Sequence, residues 1–76
     1  MYTVKDFFED YDLLQDSPFA GDNAYEVMIE NDITGRKIMG AVWAESEDSL
    51  REDLVDIMRE EEFIVRIDEI YDPYNY

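Results

Sequence analysis

Apolar residues recur along this chain with two periods, and the changes of period divide it into five elements. Val4, Phe7, Phe8, Tyr11 and Leu14 follow helical spacing and form one face. Thr3 stands before that stripe with Asp6 three places on, a variant of the capping box, so a helix is expected over residues 3–16. Ser17-Pro18 and Gly21-Asp22-Asn23 then punctuate a loop. From Ala24 to Glu30 the period drops to two, with Tyr25, Val27 and Ile29 alternating against Glu26, Met28 and Glu30, which is the mark of a half-buried strand. Asn31 to Gly35 reads as a hairpin turn. Lys37 to Ala44 reads as the return strand, with Ile38, Gly40, Val42 and Ala44 on one face and Lys37, Met39, Ala41 and Trp43 on the other. The pattern leaves open which of those faces meets the helices, and Gly40 suits either the close approach of a helix or a bulge.

A second helix is expected over residues 45–62. With Leu50 as origin, Leu54, Ile57 and Met58 share its apolar stripe, and Asp48, Glu52, Asp53, Asp56 and Glu60 spread over the opposite side. Ser46 is the candidate N-cap, and Glu47 and Asp48 sit where the helix dipole favours anions. Phe63 to Tyr71 alternates again and gives a third strand, with Phe63, Val65 and Ile67 on one side, and Arg66 and Asp68 on the other, joined there by Ile64 and Ile70. Pro73 stops the strand, and residues 72–76 read as an exposed tail.

The order helix, strand, strand, helix, strand makes this a single small α+β domain. Its expected architecture is a three-stranded antiparallel sheet of order 2-1-3 with two helices packed on one face. Placing the third strand beside the second instead would need a parallel pair reached by a right-handed crossover. The run from Tyr25 to Ile70, with Gly35-Arg36, Gly40, Ala44, Ser46, Leu50 and Leu54, resembles a widespread hairpin-helix-strand module found at the front of type II secretion F proteins and in some ribosomal proteins. Turn, cap and core residues carry that resemblance, so it implies a fold and no activity.

Composition narrows the function classes. At 76 residues the chain is near the lower limit for a core that holds without staples, and it has no Cys and no His. Disulfides, the commonest zinc ligands and the commonest general base are therefore missing. With 21 acidic against 6 basic residues the net charge is -15, which repels nucleic acid and anionic membrane alike and favours a basic protein partner. Self-repulsion on that scale predicts stabilisation by added salt. No leader-like segment or long apolar run stands in the sequence, so a cytoplasmic protein is expected.

Eight carboxylates lie between Glu45 and Glu61, against Arg51 and Arg59 alone. The bland reading is a solvated helix face laced by Glu47–Arg51 and Asp56–Arg59 pairs. Two arginines do not offset eight acids, however, and solubility alone asks for a net charge of only about 2 to 8 in magnitude. At about 1.5 Å rise per residue the acids stand roughly 3 Å apart along the axis, close to the phosphate spacing of about 3.4 Å in one nucleic-acid strand. In size, charge and lack of Cys and His the chain resembles the small acidic phage-type inhibitors of restriction and CRISPR systems. That resemblance implies a non-catalytic inhibitor that mimics nucleic acid in a basic groove, with Asp48, Glu52, Asp53, Asp56 and Glu60 as contacts and Glu9 and Asp10 of the first helix extending the surface.

The alternatives are weaker. Asp10 to Asp16 lacks the oxygen ligand and the glycine that a calcium loop needs at its fifth and sixth positions, so neither metal nor cofactor is expected. No nucleophile elbow or Gly-rich phosphate loop appears, and an enzyme is not expected. Phe7, Phe8, Tyr11, Tyr25 and Phe63 are assigned to the core. Trp43, Tyr71, Tyr74 and Tyr76 are candidate partner contacts, because Trp and Tyr are enriched at hot spots; with an open sheet edge, Trp43 and the tyrosine tail would serve a small structural or adaptor subunit. Monomer and homodimer both remain open, the dimer resting on a sheet face lined by Met28, Met39, Ala41, Trp43 and Ile64.

Overall fold

The computed structural model describes residues 1–18 and 23–73. Its elements are α1 (Val4–Asp10), β1 (Ala24–Asn31), β2 (Lys37–Trp43), α2 (Glu47–Ile57) and β3 (Glu62–Ile70). The three strands form one antiparallel sheet in the order β2-β1-β3, as the pattern of apolar positions predicts.

Register settles the face that the sequence left open. Tyr25 pairs with Val42, Val27 with Gly40 and Ile29 with Ile38, so the Ile38–Gly40–Val42 set shares the apolar face of β1. Val4, Phe7 and Phe8 of α1 and Leu50 and Leu54 of α2 join Tyr25, Val27, Ile29, Val42 and Ala44 in one buried cluster, so both helices cover the same face. Full burial of Leu50 and Leu54 stabilises α2 on the sheet by about 1.5–3 kcal/mol each. Gly40 allows the close approach of α1: a Cβ built there would stand 2.6 Å from Cγ and Cδ2 of Phe8. The hairpin turns at Gly35, whose φ of 73° lies in the left-handed region. Asn31 stabilises the turn by accepting from the amides of Ile33 and Thr34.

Both helices are shorter than expected, for different reasons. The Thr3–Asp6 capping box starts α1 as predicted. After Asp10 the chain leaves the helix, because the Asp12 carboxylate accepts from the Leu14 amide at 2.8 Å and offers the backbone a turn in place of a helical bond. The edge of β2 then takes over. Leu13 N–H donates to Ala41 O, Trp43 N–H donates to Tyr11 O, and Asp12 bridges to Val42. Leu14, expected on the core stripe, is therefore almost fully exposed. Helix α2 ends at Ile57, where Met58 turns extended, since continuation to Glu62 would stack Glu60, Glu61 and Glu62 on the negative end of the dipole. Arg59 and Glu62 close the turn instead, the Arg59 amide donating to Glu62 Oε1 at 2.8 Å.

In β3 a bulge shifts the phase. Arg66 pairs with Met28 and Ile64 with Ile29, which leaves Val65 as the extra residue. Ile64 and Ile67 thereby both face the core, while Phe63, assigned to the core from alternation, stands across from Glu30 and is exposed. Ile64 accordingly leaves the set expected on the outer face of the sheet.

Candidate acidic interface

Ser46 begins α2, its hydroxyl accepting from the Ser49 amide at 3.1 Å. With Leu50 and Leu54 locked in the core, the helix is held at a fixed rotation, which turns Asp48, Glu52, Asp53 and Asp56 to the surface, all four exposed. Glu52 and Asp56 point most directly away from the sheet with Asp48 beside them, and Asp53 turns toward α1. There Asp53 and Asp56 line a shallow groove between the helices, whose other walls are Tyr2, Phe7, Tyr11 and Ile57. Glu60 is exposed in the turn after Ile57, beyond the helix to which the sequence assigned it.

Glu9 and Asp10 are exposed on α1. Asp10 Oδ2 accepts from the Tyr2 hydroxyl at 2.6 Å, so a carboxylate of α1 is tied to a wall of the groove that Asp53 and Asp56 line. Loss of water around the phenol, then the bond to Asp10 and its charge, push Tyr2 above the ordinary tyrosine value and keep it a proton donor. The fold thus brings acids of both helices to one side of the molecule, on either flank of an aromatic groove.

Neutralisation within this surface is slight. Arg51 reaches Glu47 at 3.6 Å, the expected i, i+4 pair. Asp56 and Arg59 do not pair, because Arg59 lies outside the helix. At the base of α2, burial and then the charges of Glu69 and Glu47 push the Tyr25 phenol up, so this group stays neutral under the helix start.

Two sequence expectations change. Trp43 is 2 % exposed, so its indole offers no surface to a partner. It follows the outer phase of β2, but the stretch from Tyr11 to Gln15 runs past it and its Nε1 donates to Gln15 O at 2.8 Å. Tyr74 and Tyr76 lie outside the described residues. Val55, which sequence reasoning passed over, is 59 % exposed beside Arg51, Glu52 and Asp56 and sets an apolar spot inside the acid face. The available signal was its place 140° from Leu50, outside the core stripe.

Among the described residues no group of three acidic, His or Cys side chains is placed to hold a metal ion, and no helix is long and apolar enough to cross a membrane. In comparisons with known proteins, no family model, no curated protein and no solved structure matches the chain.

Proposed function

We propose that this protein is a non-catalytic inhibitor that occupies a basic, nucleic-acid-binding groove of another protein, as small anti-CRISPR and anti-restriction proteins do. The observation that carries the reading is the exposed row Asp48, Glu52, Asp53 and Asp56 on one rigid helix, with Arg51 committed to Glu47. At about 1.5 Å per residue α2 spans roughly 16 Å, the length of about five phosphates of one strand. Lysine and arginine side chains that bind phosphates bind carboxylates with the same charge-assisted hydrogen bonds. Glu9 and Asp10 widen the surface across the groove, and Val55 supplies an apolar contact within it. The partner is a basic protein, with no direct binding of nucleic acid and no membrane contact.

The test is capture of partners from a bacterial lysate at low salt, with elution in parallel by salt and by excess duplex DNA. Recovery of nucleic-acid-binding proteins by both eluents is expected. The triple reversal Glu52→Lys, Asp53→Lys, Asp56→Lys should weaken their binding at least about tenfold, a loss of about 1.4 kcal/mol or more. Undiminished binding by the triple variant overturns the reading. The alternative, an adaptor docking by a sheet edge and exposed aromatics, loses Trp43 to burial but keeps the edge of β3; it predicts a partner that resists salt and ignores DNA.

A further inference from the structure

The two edges of the sheet are treated differently. That of β2 is covered where Tyr11 to Leu13 bond to Ala41 and Trp43. Along β3, the outward backbone groups of residues 63–71 have no hydrogen-bond partner among the described residues. An open edge of this length is a template for another strand, and the side chains along it narrow the choice of that strand.

We infer that the β3 edge pairs antiparallel with β3 of a second copy, about a two-fold axis through Ile67, giving a continuous six-stranded sheet. A two-fold axis normal to the sheet makes one residue face its own copy and pairs positions symmetrically about it. Centring on Arg66 sets two guanidiniums together, and centring on Asp68 sets two carboxylates together; like charges directly opposite are destabilising. Centring on Ile67 places Arg66 across from Asp68 of the second copy, twice, with Ile67 against Ile67 between them. Arg66 and Asp68 are both substantially exposed and share one face; Arg66 Nη2 holds Glu26 at 2.8 Å while its Nε stands 3.5 Å from Asp68, so Arg66 can keep Glu26 and exchange the longer contact for Asp68 of the copy without leaving the outer face. By the same two-fold, Val65 of each copy faces Glu69 of the other, so the extra residue breaks regular pairing on both sides of the axis and confines the junction to residues 66–68 of each copy. In this arrangement the helices of both copies lie on the same side of the joined sheet. The net charge of -15 per chain opposes association, so the dimer forms with rising concentration and rising ionic strength. This inference does not depend on what the acidic helices bind.

Sedimentation equilibrium from the micromolar to the millimolar range, at low and high salt, should show the average mass rising from 9.1 kDa toward twice that value. Arg66→Asp alone and Asp68→Arg alone should each abolish the rise, and the double exchange should restore it. Because the native chain has no Cys, Ile67→Cys should form a disulfide-linked dimer on mild oxidation, whereas Glu69→Cys, displaced from its own copy, should not. Circular dichroism checks that each variant folds; the cysteine pair reports on register without touching the charges. A monomer at every concentration and salt overturns the inference. So does a dimer that survives both single charge changes, or one that crosslinks equally through both cysteines.

Discussion

Replacing Gly40 by Ala tests the contact that seats α1 on the sheet. The added Cβ would lie 2.6 Å from Cγ and Cδ2 of Phe8 and 3.0 Å from its Cδ1. Carbon atoms are comfortable at about 3.5–4.0 Å, so the ring must retreat by about 1 Å. These are the ring atoms nearest the Phe8 backbone, so the retreat moves α1 or forces an off-rotamer ring. Overpacking of this kind costs about 1–3 kcal/mol. The lower entropy of the unfolded Ala chain offsets about 0.4–1 kcal/mol of that. The net expectation is a loss of about 1–2 kcal/mol, or a Tm lower by about 5–15 °C for a domain of this size. Urea and thermal unfolding followed by circular dichroism measure it. Phe8→Ala serves as the second arm of a double-mutant cycle, run in sucrose to keep the weakened variant folded. With the ring gone, Gly40→Ala should cost nothing or stabilise slightly. Wild-type stability for Gly40→Ala alone, or an equal loss in both backgrounds, would refute the claim that backbone-to-ring proximity fixes α1.

Trp43→Phe removes the indole N–H that donates to Gln15 O and should lower stability by about 1–2 kcal/mol, read by urea unfolding. The lone Trp in its buried site should also give blue-shifted fluorescence that reddens on unfolding, and an already red folded spectrum would contradict the burial. In the capping box, the Thr3 amide and then the Thr3 hydroxyl donate to Asp6 and hold its carboxyl below its ordinary value of 3.8. A lowered folded-state value means a contribution that is complete above the unfolded value and fades as pH falls through the folded one. Asp6→Asn should therefore flatten the loss of stability on the acid side of that value, and an unchanged acid limb would show that the box contributes nothing.

Legibility in the sequence followed the range of the forces involved. The strands of the hairpin, the Ser46 cap and the Thr3–Asp6 box are set by contacts within a few residues and were readable as such. The ends of both helices were not. Nothing local tells whether Asp12 will cap a turn or stay on a helix until β2 offers Ala41 and Val42 as partners. Burial of Trp43 has the same origin, since the segment that covers it is distant in sequence. In β3 the alternation of Phe63, Val65 and Ile67 was real, but a bulge at Val65 moved Ile64 inward and Phe63 outward. Of the candidate surface, the four acids of α2 were legible because Leu50 and Leu54 fix the helix rotation. The groove that joins them to Tyr2 and Asp10 needed the packing of α1 against α2.

Two of the six cations, Lys37 and Arg66, pair with acids of the sheet and leave the acidic helix to others. On the outer face of the sheet Glu26 stands directly opposite Asp68, a like-charge pair that would weaken the β1–β3 ladder. Arg66 reaches both, at 2.8 Å from Glu26 and 3.5 Å from Asp68, and bridges them. Lys37 faces Glu30 across β1 and β2 at 3.7 Å. These two cations are thus tied to acids that the sheet brings together, whereas the carboxylates of Glu52, Asp53 and Asp56, past the first turn of α2 that Asp48 favours, make no hydrogen bond or ion pair among the described residues. Their mutual repulsion adds to the cost of the compact state. Charge removed at Glu52, Asp53 or Asp56 should for that reason leave the fold intact or firmer, while charge removed at Arg66 should loosen it. Because Glu52, Asp53 and Asp56 neither pair within the described residues nor cap the helix, reversing them probes the proposed partner contact without first breaking a contact that the fold needs.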